Sequence, residues 1–409
     1  MEDYKADFGS QMICNIIDEN SGLLGYIVID SAVYGHSCGG LKMLPDVSIP
    51  QLQGLARTMT LKFSFLGMNE GGAKAGIIAD PSMPREEKLA LLRTFAEAAS
   101  PLLKTGAYVP ASDMGTTNEE IRYMLKSIGL KVRENIVQRK EEGGFYVGFS
   151  VFAGARAACE HINLDLSQST LAVEGFGKVG SAVARVFWQR GAKVVAISTF
   201  KGAIYEPDGL DVGRLIQLKN EVGDDVVNVY GKGQTIEKSE LLTLDVDILS
   251  PCARHHSINA ENAEKIRAKV ICAGANIPVT REAEKILYEK GKLCLPEFVT
   301  NCGGILGSNM ENAGLSGQFI ENFIIQEIGN KISEIIEVSR KNNMSPVEFA
   351  EMEAKKKFAR IRTKTTEKTI KNRLFGIVLK AYKKNLIPKR LVKLYAPRHF
   401  RARLGWAKG

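Results

Sequence analysis

The chain has no apolar run approaching the roughly 20 residues that a membrane span needs. Its opening, Met-Glu-Asp-Tyr-Lys-Ala-Asp, lacks the build of a secretory signal. Neither a membrane partner nor export is expected. The seven cysteines, Cys14, Cys38, Cys159, Cys252, Cys272, Cys294 and Cys302, form no C-x-x-C pair, and their number is odd. That argues against a disulfide framework or a zinc site and fits the reduced thiols of a cytoplasmic enzyme. Histidine is scarce. None of His36, His161, His255, His256 and His399 stands in a context suited to a catalytic base, which leaves a hydroxy-acid dehydrogenase without support. Internal repeats and low-complexity linkers are absent.

Acid is missing from one end of the chain. Residues 355–409 hold nineteen Lys or Arg and a single acid, Glu367, while the whole chain carries a net +9. The remaining 354 residues are therefore net negative, an enzyme-like body with a basic end. Ala396 through Arg403 mixes cations with aromatics, a composition that suits nucleic acid or an acidic partner. The reading preferred here is a solvated helical surface and a flexible tail. At 409 residues, 44% apolar and 25% charged, the chain suits two or three soluble domains. They are placed at 1–140, 141–330 and 331–409.

What is present centres on residues 170–199. Leu171, Ala172 and Val173 read as a buried strand, and Gly175, Gly177 and Gly180 then give G-x-G-x-x-G. Val179, Ala182, Val183, Val186 and Phe187 follow at helical spacing, and Lys193–Ile197 reads as a second strand. In this context Gly175 permits a tight turn, Gly177 admits a pyrophosphate, and Gly180 lets helix and strand pack closely. A dinucleotide, NAD or NADP, is the expected cofactor. The bland alternative is an ordinary glycine-rich turn. The end of the second strand, Ser198-Thr199-Phe200-Lys201, lacks the acid that would hold a ribose 2′-hydroxyl, so NADP is expected to be accepted.

Along the rest of the chain, Met12, Ile13, Ile16 and Ile17 suggest an opening helix over 8–24, and 26–33 a strand. Residues 35–43 read as turn-rich, 49–59 and 86–103 as helices, with a further helix from Asn118. The glycine-rich stretch 143–154 reads as an interdomain passage leading into a helix at 152–161. Short apolar runs at 245–249, 269–272 and 292–295, separated by helical segments, predict a parallel sheet covered on both faces. From residue 316 the pattern is helical.

Two lysines precede the nucleotide motif. Lysines are mostly solvated surface residues, but Lys74 is bracketed by Gly71, Gly72 and Gly76. A phosphate-binding P-loop is excluded, because no G-K-[ST] follows the required spacing. Asp113, between Pro110 and Gly115, reads equally as a turn or cap aspartate.

Together these pieces resemble the glutamate/leucine/phenylalanine/valine dehydrogenases. The matching stretches are Gly39-Gly40-Leu41-Lys42-Met43, Met59-Thr60-Leu61-Lys62, Gly71-Gly72-Ala73-Lys74-Ala75-Gly76 and Ser112-Asp113-Met114-Gly115-Thr116. They continue as Glu174-Gly175-Phe176-Gly177-Lys178-Val179-Gly180, Lys201 through Gly209, Asp247 through Ala253, Ala273-Gly274-Ala275-Asn276 and Pro296 through Gly304. A stretch at 375–385 is faintly similar to the family's closing helix. The resemblance implies an α/β fold of two domains. An N-terminal α/β domain would bind substrate and build a homo-oligomer, from dimer to hexamer or octamer. A Rossmann-type domain would follow, with C-terminal helices closing the chain.

The resemblance also implies oxidative deamination of an L-amino acid to a 2-oxo acid and ammonia, with hydride passing to NAD(P). It places Lys62 on the substrate α-carboxylate, Lys74 beside the α-carbon as base, and Asp113 as proton shuttle. Gly40, Lys42, Cys38, Asn301 and Ser308 fall on substrate-facing stretches. Phe176, Lys178, Val179, Thr199, Lys201, Cys252, Ala253, Ala275 and Asn276 join the three glycines on the cofactor. Glutamate-specific members resemble one another in a lysine just before the paired glycines. Here that position is Cys38, which points toward an apolar side chain, whereas Ser308 and Lys42 leave glutamate open. The rival reading is a silent homologue that binds a nucleotide and regulates, or binds nucleic acid.

Overall fold

A computed structural model describes residues 10–131, 143–366 and 389–406. They divide into two compact units, each treated by itself: 10–131 with 354–366 and Trp406, and 143–353 with 389–405.

The first unit is built on a five-stranded sheet of order β1-β2-β4-β3-β5. The strands are β1 (Met12–Asp18), β2 (Leu23–Ile29), β3 (Ser37–Met43), β4 (Gly71–Ile77) and β5 (Val109–Ser112). β2 runs antiparallel to both β1 and β4, while β4, β3 and β5 are parallel. The helices are α1 (Ile49–Phe65), α2 (Arg85–Ala98), α3 (Ser100–Thr105) and α4 (Asn118–Ser127). Ile27, Leu41, Met43, Ile77, Phe95 and Tyr108 form the centre of its core.

The expected opening helix is a strand. Asp18 accepts bonds from the Ser21 N–H and hydroxyl, and Gly22 takes a φ of +68°, so the chain reverses into a hairpin. Only Ile16 of the four apolar residues is buried there. The turn-rich stretch is largely β3, because Gly39 lets it pass close to β4; a Cβ at Gly39 would collide with the Ala73 carbonyl. The expected helix over 86–103 is two helices. Pro101 fits the first turn of α3 but not a helix interior. At Asn118 the helix begins with a capping box between Thr117 and Glu120.

The second unit opens with α5 (Gly143–His161). The glycine-rich stretch read as a passage is therefore helix. A Cβ at Gly144 or Gly148 would lie 2.9 Å from the carbonyls of Lys178 and Ala182 on α6 (Lys178–Trp188). The glycines serve close helix packing rather than flexibility.

Beneath lies a seven-stranded sheet of order β12-β11-β10-β6-β7-β8-β9. It comprises β6 (Thr170–Glu174), β7 (Lys193–Thr199), β8 (Gly202–Tyr205), β9 (Gln234–Ile236), β10 (Ile248–Pro251), β11 (Val270–Ile271) and β12 (Leu293–Cys294). The first five in that order are parallel, as the alternation of short apolar runs and helices predicts. The antiparallel ribbon β8–β9 at the edge had no separate signal. The strand order reverses between β10 and β6, the switch point at which such sheets bind ligands. α7 (Val212–Val222) follows β8.

The helices Gly317–Lys341, Pro346–Thr366 and Lys389–Arg403 end the described chain. The stretch 375–385 lies outside the described residues. Among the described residues no helix is long and apolar enough to cross a membrane.

Candidate functional site

In the first unit, β4 places Lys74 opposite Gly40 of β3, by the register that pairs Cys38 with Gly72 and Leu41 with Ala75. Lys74 is buried and makes an ion pair with the Asp113 carboxylate, on the loop leaving β5. A Cβ at Gly40 would lie 2.5 Å from Asp113 Oδ2, so only glycine leaves room for this carboxylate. The loop itself is tied down. The Asp113 N–H donates to Thr116 Oγ1 at 3.0 Å, and Thr116 Oγ1 donates to the Leu41 carbonyl at 2.8 Å. The Met114 N–H donates to Asp113 Oδ1 at 2.7 Å. Burial pushes the Asp113 pKa up, but the Lys74 and Lys42 charges outweigh it and hold the carboxyl below its ordinary value.

Lys42 is thus drawn into the pair's field. It stands four residues along β3 from Cys38, about 13 Å at ~3.3 Å per residue. Cys38 lies half-buried, aligned with Val109 of β5. Beside it the Tyr108 hydroxyl donates to the Gly39 carbonyl at 3.2 Å, and burial pushes that phenol well up. Lys62 is buried in the last turn of α1, the helix that packs on β4. Lys74, Asp113, Lys42 and Gly40 therefore converge, and Cys38 and Lys62 are carried on the elements that frame them.

In the second unit the glycine turn has the geometry its sequence predicts. Gly175 takes a φ of +89°. A Cβ at Gly180 would collide with the Gly175 carbonyl, whereas one at Gly177 would meet nothing within 4 Å. That open backbone at the N-terminus of α6 fits a dinucleotide pyrophosphate. Ala253 walls Gly175, and Val179 and Cys252 close around Gly274. The Cys252 N–H donates to the Glu174 carbonyl at 2.7 Å; its thiol is pushed up to about 12 by burial. Asn301 Nδ2 bridges the Ala275 carbonyl at 2.9 Å and Asn276 Oδ1 at 3.0 Å. Lys178 opens α6, and Ser308 lies half-buried on the helix Gly303–Asn312. Thr199 Oγ1 donates to the Asp224 carbonyl at 2.7 Å and accepts from the Lys201 N–H at 3.1 Å.

Two groups at this turn carried no role in the sequence. Glu174 accepts from Ser257 Oγ at 3.0 Å, and burial raises its carboxyl to about 7. Lys219 on α7 donates from its ammonium to the Phe176 carbonyl. Glu174 stood in view inside the motif. Lys219 lies 43 residues from Phe176, on an amphipathic helix that offers no local signal.

Residues 143–366 match the Glutamate/Leucine/Phenylalanine/Valine dehydrogenase family, and residues 11–129 match the Glu/Leu/Phe/Val dehydrogenase dimerisation domain. The chain belongs to this family. A glutamate dehydrogenase of Thermotoga maritima is 36% identical over 299 residues, 70% of this chain and 71% of that protein. An NAD-specific glutamate dehydrogenase A of Halobacterium salinarum is 34% identical over 298 residues, 70% and 68% of the two chains. Among solved structures, the hetero-hexameric glutamate dehydrogenase from Thermus thermophilus in a Leu-bound form superposes with a TM-score of 0.72 at 21% identity. That match covers 87% of this chain and 89% of that one. This family member is an NAD(P)-dependent amino-acid dehydrogenase and assembles into an oligomer.

Proposed function

We propose that the enzyme interconverts an L-amino acid of apolar side chain with its 2-oxo acid and ammonia, using NADP(H). The first unit takes the amino acid and builds the oligomer, and the second takes the dinucleotide. The observation that carries this reading is the buried Lys74–Asp113 ion pair beside Gly40.

In the direction of oxidation, Lys62 pairs with the substrate carboxylate and fixes the α-carbon. Lys74 stands at that carbon and, having given up its own proton to solvent, takes the proton of the amino group. Gly175, Phe176, Gly177, Lys178, Val179 and Gly180, with Thr199, Lys201, Cys252, Ala253, Ala275 and Asn276 around them, would hold the dinucleotide, which would supply the hydride acceptor. Asp113 then takes a proton from the water that attacks the iminium carbon, returns it to the departing nitrogen, and takes up the hydroxyl proton as the carbonyl forms. Its lowered pKa keeps it ionised for the first of these steps at neutral pH.

An apolar side chain is supported by Cys38. The thiol offers a second carboxylate no cation, and Lys42, about 13 Å along the strand, is in the field of Asp113 instead. The family resemblance implies that Asn301 and Ser308 belong to substrate-facing stretches. The absence of an acid after β7 supports NADP(H).

The test is reductive amination with ammonia and NADPH or NADH, across 4-methyl-2-oxopentanoate, 3-methyl-2-oxobutanoate, phenylpyruvate and 2-oxoglutarate. Turnover fastest with one of the first three supports the reading; turnover confined to 2-oxoglutarate overturns the side-chain assignment. Lys74→Ala and Asp113→Asn are each expected to lower kcat by roughly 10²–10⁴ while dinucleotide binding survives. Near-normal turnover in either variant removes that residue from its role.

A further inference from the structure

The Tyr108 side chain is fully buried in the core of the first unit, and a buried phenol needs a partner for its hydroxyl. Tyr108 donates to the Gly39 carbonyl at 3.2 Å. That carbonyl belongs to the peptide joining Gly39 to Gly40, and a peptide unit is a rigid plane. Holding one end of it fixes the other.

The same peptide touches both members of the ion pair's framework. On one side Gly39 is pressed against the Ala73 carbonyl, whose own peptide plane carries the Lys74 nitrogen. On the other, Gly40 is pressed against Asp113; a Cβ there would meet Oδ2, Cβ and Cγ of the aspartate at 2.5, 2.8 and 3.0 Å. A shift of this plane therefore changes how Asp113 meets Lys74. β5, the strand that leads to Asp113, restrains it weakly. It is a four-residue edge strand, and Pro110, aligned with Gly39, brings no N–H to the ladder. Side chains make up the deficit. His36 Nδ1 donates to the Gly106 carbonyl at 3.0 Å, Ser37 Oγ donates to the Ala107 carbonyl, and Tyr108 donates to Gly39. Of these three bonds, the last acts on the peptide that faces Asp113. Burial, then the charges of Cys38 and Asp113, push the phenol well up, so it stays a donor near neutral pH.

We propose that Tyr108 is a positioning residue for the reaction: its hydroxyl holds the Gly39–Gly40 peptide and so sets the approach of Asp113 to Lys74. The inference rests on the reading above, in which that pair moves the protons. The phenol itself touches neither substrate nor dinucleotide.

The test compares the full chain with Tyr108→Phe and Ser37→Ala in reductive amination, using the 2-oxo acid that the wild type turns over fastest. Tyr108→Phe keeps the ring and removes the donor. Ser37→Ala removes a neighbouring bond of the same loop and leaves the Gly39–Gly40 peptide held. Both are expected to lower the thermal midpoint slightly and to a similar extent. Tyr108→Phe alone is expected to lower kcat, by about tenfold, with KM for the oxo acid within about twofold and NADPH binding, followed by fluorescence, unchanged. A kcat within about twofold of wild type in Tyr108→Phe overturns the proposal and leaves the dehydrogenase reading intact. An equal loss of kcat in Ser37→Ala overturns it also, because the hydroxyl then only supports the fold. A raised KM with unaltered kcat would put the phenol on the substrate, again overturning it. A wild type that turns over no 2-oxo acid would overturn both.

Discussion

Asp113 and Glu174 are carboxyls in low-dielectric surroundings, and their pKa values end on opposite sides of the ordinary one. Burial raises both, but Asp113 faces the charges of Lys74 and Lys42, while Glu174 meets the Ser257 hydroxyl and a backbone N–H. For Asp113 the folded pKa lies below the unfolded one, so its contribution to stability is present near neutrality and is lost as pH falls through the folded value. Glu174, at about 7 against an ordinary 4.5, has the reverse sign. The folded chain holds its proton more tightly, so ionisation costs stability increasingly as pH rises from 4.5 through 7. Glu174→Gln keeps the shape and removes the ionisation. It is expected to be more stable than the wild type at pH 8, by about 3 kcal/mol at most, with the difference vanishing near pH 4.5. Urea unfolding at the two pH values measures it; an equal difference at both would show that ionisation of Glu174 is not its source. Lys74 was legible because glycines bracket it, and Asp113 only through its motif. Lys219 was not, since its partner lies on another element.

At the scale of elements, glycine misleads a reader in two ways. In α5 a glycine-rich run looks like a hinge and is a helix pressed on α6. In β3 the paired glycines look like a turn and are a strand pressed on β4, whose own Gly72 is pressed on α1. In both, a missing side chain signals a close backbone, a fact of tertiary packing that the local sequence leaves open. The nucleotide motif was legible because its glycines come at spacings tied to a specific strand–turn–helix. Gly148→Val forces a branched side chain against the Ala182 carbonyl and is expected to destabilise the protein by about 1–3 kcal/mol. Gly317→Ala begins a helix with nothing within 4 Å and is expected to be neutral or slightly stabilising. Thermal unfolding of the two variants checks the contrast; equal effects would mean that the close approach of α5 and α6 is not what fixes Gly148.

Over the whole molecule, the basic end is partly built into the fold. Lys357 Nζ donates to the Phe65 carbonyl at 3.0 Å, and Arg401 pairs with Glu327 at 2.7 Å. Trp406 packs edge-on to Phe65 with ring centres 5.4 Å apart. The charge run could not reveal these partners, which lie far away in the sequence. The same distance effect explains β1. Its apolar residues look like core, yet Met12, Ile13 and Ile17 are 43%, 44% and 60% exposed on the outermost strand of the sheet. A long apolar edge left in water invites pairing with another chain. These residues lie within the stretch 11–129 that matches the family's dimerisation domain, and an oligomer gives the edge a cover. Replacing both isoleucines, Ile13→Lys with Ile17→Lys, places like charges where two copies would meet. Light scattering is expected to show a smaller assembly with unchanged circular dichroism. An unaltered mass would mean that the oligomer is built on another face, and that the exposed edge of β1 is covered by neither copy.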